Sequence, residues 1–266
     1  AHLRSNLDIR VPRAALASLP ATVKALQASA LFVKGQHTYS AAVGGGVGHF
    51  HLQITASGGG GGLTNSEAEL FKKIPDIDKF EQHLNASDTH FVITMRGIGE
   101  MEPLNAQSFV RPDAETEFGV ARAFVSIQPS AKDKELWEAM DKAADDVARI
   151  FANGHAVDLI VRGNVKKTGV DATKLAIELP YLVDNPNAPS TKMNNPERRD
   201  GLGTTHHESG TLRMGDDASK SVTDANGRFH EVLNAYVAGP ALFPTIGSPN
   251  PMLTGIALAR RLGDKL

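Results

Sequence analysis

The sequence contains no cysteine. That absence excludes disulfides, thiolate-bound zinc, iron–sulfur clusters and a thiol nucleophile, and it fits a reducing compartment. Net charge is also nearly absent, at -2 with histidine neutral, which leaves no electrostatic footprint for nucleic acid or an anionic membrane surface. No run of 18 apolar residues occurs, so a membrane-spanning helix is not expected. The opening AHLRSNLDIR lacks an apolar signal core and reads like the interior of a longer protein; a cytoplasmic location is the expectation. A dinucleotide fingerprint is missing as well. Gly44-Gly45-Gly46-Val47-Gly48 puts His49 where G-x-G-x-x-G needs its third glycine, and neither a βαβ unit nor a ribose-binding acid follows. What is present is ordinary for a globular chain: 266 residues, 41% hydrophobic and 22% charged, enough to bury a core without staples.

Alternation and periodicity outline the elements. Leu7–Val11 alternates apolar and polar, QASALFVK (27–34) is an apolar run of strand length, and VGHFHLQITA (47–56) alternates again. In that last segment Phe50, Leu52 and Ile54 fall on one face and His49, His51 and Gln53 on the other. Glycine runs 44–46 and 58–62 bracket it and resemble flexible linkers, engineered or replacing a removed segment, more than evolved loops. Ser66-Glu67-Ala68-Glu69 forms a capping box for a helix that Pro75 closes, and a short helix follows over 77–84. Residues 91–95 and 120–127 read as strands. From Lys132 to Asn153 the positions Leu136, Met140, Ala143, Val147, Ile150 and Phe151 repeat at helical spacing and Asn153-Gly154 ends the helix; Trp137 on it is expected in the core. Residues 184–203, rich in Asn, Pro and Gly, read as a long exposed loop. Ala235–Ala238 reads as a short strand. Asn250 as N-cap and Pro251 at the first position then open a helix that Gly263 stops. Its apolar residues surround it, so burial against something large is expected. Strands with a few helices and no strict alternation make this an α+β chain.

The chemistry concentrates in HHESGTLRMG (206–215), where an imidazole sits against a small-residue turn. By itself His207 reads as a structural histidine or as a base. His206 reads as packing behind it and His230 as surface or structural. His49 and His51 share a strand face and suit a polar sheet face, a substrate cavity or a metal.

Three segments in order, HESGTLRMG (207–215), SVTDANGRFHEVLNAYVAGPALFPT (221–245) and NPMLTGIALARRLGD (250–264), closely resemble the C-terminal signature of the glucose–methanol–choline (GMC) flavoprotein oxidoreductases. HLRSNL (2–7) and residues 97–127 more loosely resemble the start and middle strands of that family's substrate domain. The resemblance implies an antiparallel sheet of about six strands backed by helices, with residues 1–215 as a substrate-binding domain. Residues 216–266 would return to a Rossmann-type domain for flavin adenine dinucleotide (FAD), most of which lies outside this sequence.

The resemblance further implies oxidation of a CH–OH donor, with hydride passing to flavin N5. Histidine suits the accompanying proton abstraction, with an unperturbed pKa of about 6.5. The family's base corresponds to His207 and its second partner to Asn250, an amide that orients the substrate oxygen by hydrogen bonding. Gly239 and the helix start at Asn250, Pro251 and Met252 correspond to flavin contacts. The implied partners are an alcohol or sugar substrate and a polypeptide carrying the FAD domain; no metal, nucleic acid or membrane is expected. Two alternatives stand beside this reading. One is a non-catalytic fragment or partner subunit without a flavin site of its own. The other is a metallohydrolase using His49, His51, His206 and His207.

Overall fold

A computed structural model describes residues 1–24, 28–58, 80–185, 187 and 191–266. Six strands form one antiparallel sheet: β1 (His2–Pro12), β2 (Ala28–Thr38), β3 (Val47–Ser57), β4 (His90–Glu100), β7 (Val157–Val161) and β8 (Asn164–Val170), in the order β2-β3-β4-β1-β7-β8. The α+β expectation and its strand number are met. Between β4 and β7 the chain forms a separate two-stranded hairpin, β5 (Phe109–Glu117) and β6 (Val120–Ser126), and the helix α1 (Ala131–Ala152). Among the described residues no helix is long and apolar enough to cross a membrane.

Period-two alternation sets what each sheet face does. Leu3, Leu7, Ile9 and Val11 of β1 join Phe50, Leu52 and Ile54 of β3 and Phe91, Ile93 and Met95 of β4 in the core. The long helix α1 covers this face with Leu136, Trp137, Met140, Ala144, Ala148 and Ala152. Its N-terminus is secured by a capping box between Ser130 and Asp133, and Asn153 ends it in the left-handed region at φ 47°. Gly97 and Gly99 of β4 let the helix approach: a Cβ on Gly99 would lie 2.6 Å from the Met140 sulfur. Trp137 is buried as expected, its indole N–H donating to the Arg4 carbonyl at 2.9 Å. Ile150 corrects the helical reading. It is 74% exposed, because the buried stripe runs through the alanines at 144, 148 and 152 and turns position 150 outward.

The other face is polar. Register aligns Gln53 of β3 with Arg96 of β4 and Asn6 of β1, and Thr55 with Thr94 and Asp8. Arg96 donates to Asn6 at 3.0 Å and Thr55 meets Thr94 at 2.5 Å. At one end of this face His83 stands on a 3-10 helix over Phe80–Asn85, 2.5 Å from the Ser57 hydroxyl.

Several sequence readings change. Gly44, Gly45 and Gly46 all have positive φ and close the β2–β3 hairpin, with Tyr39 N–H donating to the Gly46 carbonyl and Gly45 N–H to that of Ser40. This run is a tight turn, not a linker. The capping box at Ser66 and residues 59–79 generally lie outside the described residues, so that helix and the start of the one expected over 77–84 go with them. The supposed exposed loop 184–203 contains β10 (Lys192–Asn194), paired with β9 (Leu182–Asp184), and then goes inside. Arg198 is fully buried and Arg199 nearly so, because Asp141 and Asp145 of α1 neutralise them. Buried charges survive only when paired in this way. No strand forms at Ala235–Ala238; Tyr236 makes an isolated bridge with Arg228.

The last helix, α2 (Met252–Gly263), differs in three respects. Pro251 occupies the N-cap position and no side chain caps it, so Asn250 is not a cap. Gly263 lies within the helix and Asp264 follows as C-cap. Met252, Leu253 and Ile256 are exposed and only Gly255 and Leu262 are buried. The large surface expected against this helix is not supplied by the described residues.

Candidate active site

His207 is fixed by its neighbours in sequence. His206 before it takes φ 53° and Gly210 after it φ 76°, where a Cβ would press on the Phe243 carbonyl at 3.2 Å. Beyond the turn, residues 210–214 run beside 240–242, with Gly210, Leu212 and Met214 N–H groups donating to Pro240, Ala241 and Leu242 carbonyls at 2.8–3.2 Å. This pairing carries the His207 ring to the end of the polar sheet face, where β1 begins.

There it meets His2. The rings pack edge-on with centroids 4.9 Å apart, and the two Nδ1 atoms are 2.8 Å apart. The other nitrogen of His2, Nε2, is 2.8 Å from the Gly247 carbonyl oxygen. A carbonyl only accepts, so His2 Nε2 carries the hydrogen. Burial lowers the His2 pKa to about 4, with His207 and His51 pushing the same way and the bond to Gly247 opposing them. His2 is therefore neutral near pH 7, and its Nδ1 is an acceptor. The hydrogen between the rings belongs to His207 Nδ1, which leaves Nε2 of His207 as the nitrogen able to take up a proton.

The Gly247–Ser248 loop is held from three strands. His2 of β1 donates to the Gly247 carbonyl. Gly247 N–H donates to Glu100 of β4 at 2.8 Å, with Gly247 itself at φ 67°. His51 of β3 bonds the Ser248 backbone, which opposes a burial-driven fall in its pKa. Asn250 lies two residues beyond Ser248 and is exposed. His207 lines a cleft of roughly 620 Å³, together with Ser209, Thr211, Phe109, Val125 and Phe243, whereas Asn250 does not line it. The loop anchored beside His207 is thus the one that leads to Asn250, and the amide is not engaged as a helix cap.

The remaining sequence candidates are placed as follows. Gly239 has φ 97° with open space where a Cβ would stand, a conformation suited to glycine. Gly255 of α2 lies against Pro240, which brings Gly239 close to the start of that helix. Pro251 is buried and Met252 exposed. His49 is exposed, as is His206, while His51 is buried. His230 bonds the Ser221 hydroxyl at 2.8 Å. Among the described residues no group of three or more His, Asp or Glu could hold a metal ion. His2, Glu100 and Gly247 were not singled out in the sequence. The available signal was the polar alternation of His2, Arg4, Asn6 and Asp8 along β1, which marks a second working face on a buried strand.

A family model described as GMC oxidoreductase matches residues 119–259, more than half of the 266 residues. The matched segment includes His207, Gly239 and Asn250. No curated protein matches the chain.

Proposed function

Because the chain belongs to the GMC oxidoreductases, we propose that it is the substrate-domain and C-terminal portion of an FAD-dependent enzyme that oxidises an alcohol, with His207 as base and Asn250 as the orienting amide. The observation that carries this reading is the hydrogen-bonded series from the Gly247 carbonyl through His2 to His207, which leaves His207 Nε2 able to accept a proton. In the proposed reaction His207 Nε2 removes the hydroxyl proton while the His207 Nδ1–H keeps donating to His2 Nδ1. The imidazolium so formed keeps a neutral acceptor behind it. A positioned base of this kind contributes roughly 10²–10⁴ in rate. Asn250 cannot take a proton at neutral pH; its N–H groups donate to the substrate oxygen and hold it as negative charge builds.

A bound flavin supplies the hydride acceptor. The residues present fit such a group in part: the open space at Gly239 admits a planar ring close to backbone, and the first turn of α2 has no side-chain cap on its N–H groups, which favours negative charge. Gly239, Asn250, Pro251 and Met252 would contact the cofactor, and the dinucleotide-binding part would come from another polypeptide segment. Residues 1–215 then serve as the substrate-binding domain and 216–266 as the return to the flavin domain. A sugar or glycoside is the substrate class we favour, from the family resemblance and the polar strand face of His49, His51 and Gln53.

Anaerobic addition of substrate to the flavin-loaded protein tests the reading. The flavin absorbance bleaches in the native protein, and His207→Ala slows bleaching by at least about 100-fold; a near-native rate in the variant removes His207 from the mechanism. The exposed Met252, Leu253 and Ile256 favour a second statement about the chain alone: without its flavin-bearing partner it neither holds the cofactor nor turns over. A purified chain that is yellow contradicts this.

A further inference from the structure

We propose that His2 is a positioning residue for His207: its Nδ1 accepts the His207 Nδ1–H, locking the tautomer whose Nε2 faces reaction, while its Nε2–H ties the same ring to the loop that leads to Asn250. The proposal rests on His207 being the base. Four observations converge on His2. Both ring nitrogens are engaged, at 2.8 Å each. The side chain is 1% exposed, so no water competes for the inter-ring bond. The residue is held in register opposite Glu100 by the long β1–β4 ladder, and Glu100 grips Gly247 from the other side. Finally, the fall in the His2 pKa keeps it uncharged. A protonated His2 would have no lone pair at Nδ1 and would face the His207 ring with a second donor.

The physical gain is twofold. A neutral imidazole in water exchanges between two tautomers, and only one presents Nε2 as a base. A fixed acceptor at Nδ1 removes the idle form. When His207 becomes charged, its Nδ1–H bond to a neutral acceptor becomes charge-assisted and strengthens. His2 thus links the base and the amide-bearing loop through one side chain, so a shift of either is felt by the other.

Nitrogen-15 histidine spectra of the full chain give a readout independent of turnover. The native protein shows His207 protonated at Nδ1 and His2 at Nε2. His2→Phe removes the acceptor and moves His207 toward the Nε2–H form. His2→Asn, whose amide oxygen stands near the lost Nδ1, restores the Nδ1–H form. In the flavin-loaded holoenzyme His2→Phe lowers the maximal rate of flavin reduction roughly 10–100-fold, with KM little changed, and His2→Asn recovers most of it. A native His207 already protonated at Nε2, or a tautomer that is the same in native and Phe variant, overturns the proposal whatever the rates do. If the tautomers behave as stated but His207→Ala reduces flavin normally, the failure lies instead in the assignment of the base, and the role of His2 falls with it.

Discussion

Three buried imidazoles, His2, His51 and His83, have lowered pKa values, and the two near 4 make the fold acid-sensitive above the pH at which exposed carboxylates mostly titrate. His2 and His83 are almost wholly buried, and burial lowers each to about pKa 4, with Arg96 adding to the effect at His83. In the unfolded chain both titrate near 6.5. As pH falls, the unfolded state therefore takes up protons first, and stability is lost between about pH 6.5 and pH 4, with no further loss from these rings below that. Going from about pH 7.5 to about pH 4.5, linkage gives a loss of about 2.5 kcal/mol per ring and about 5 kcal/mol for the pair. That is a large share of the roughly 5–15 kcal/mol that holds a domain folded. Asp171 and Asp217, exposed carboxylates whose pKa is lowered by hydrogen bonds from Thr173 and Ser219, act in the same direction but only at still lower pH. Urea unfolding across this range measures the effect, and His83→Gln isolates the share of that ring. The variant loses about 2.5 kcal/mol less than the native chain over the same interval. A stability flat to within about 1 kcal/mol, or a His83→Gln profile of unchanged slope, refutes the assignment of neutral buried rings.

Three further outcomes follow from particular contacts. Gly99→Val drives a branched side chain into Met140 and Leu136 of α1 and is expected to cost about 1–3 kcal/mol, read as a lower thermal midpoint. Ile256→Glu, on the exposed face of α2, changes the stability of the chain alone by less than about 0.5 kcal/mol; under the proposed assembly with a flavin-bearing polypeptide segment it weakens that association, which analytical ultracentrifugation or co-purification detects. Gly239→Ala forces a Cβ onto a residue at φ 97°, which costs about 1 kcal/mol or more in backbone strain, and under the proposed flavin contact it lowers the flavin affinity of the assembled protein in a fluorescence titration.

The elements whose physics is local were readable in the sequence. The alternation of Phe50, Leu52 and Ile54 found β3, and the spacing through Leu136 and Met140 found α1, because one face of each is buried in the ordinary way. The errors arose where a tertiary partner reverses the meaning of composition. Arg198 and Arg199 sit in a segment that reads as polar loop, yet Asp141 and Asp145, far away in sequence, make their burial possible. Residues 201–251 are held by backbone bonds between irregular segments and isolated bridges, which leave no period to detect. The β5–β6 hairpin is exposed on both faces, so β5 had no alternation to show. In the candidate site, His207 stood out through its motif and its glycine turn. His2 did not, since its importance comes from a ring that folds back over 205 positions. Asn250 was read as a helix cap from its place before Pro251; the helix instead begins uncapped, and that amide is not spent on structure.

The most direct test of the central claim is a crystal structure of the assembled, flavin-loaded protein with an alcohol bound. In that structure His207 Nε2 and the Asn250 amide are both expected within hydrogen-bond reach, about 2.6–3.2 Å, of the same substrate hydroxyl. Side chains that remain more than about 10 Å apart with substrate in place contradict that claim.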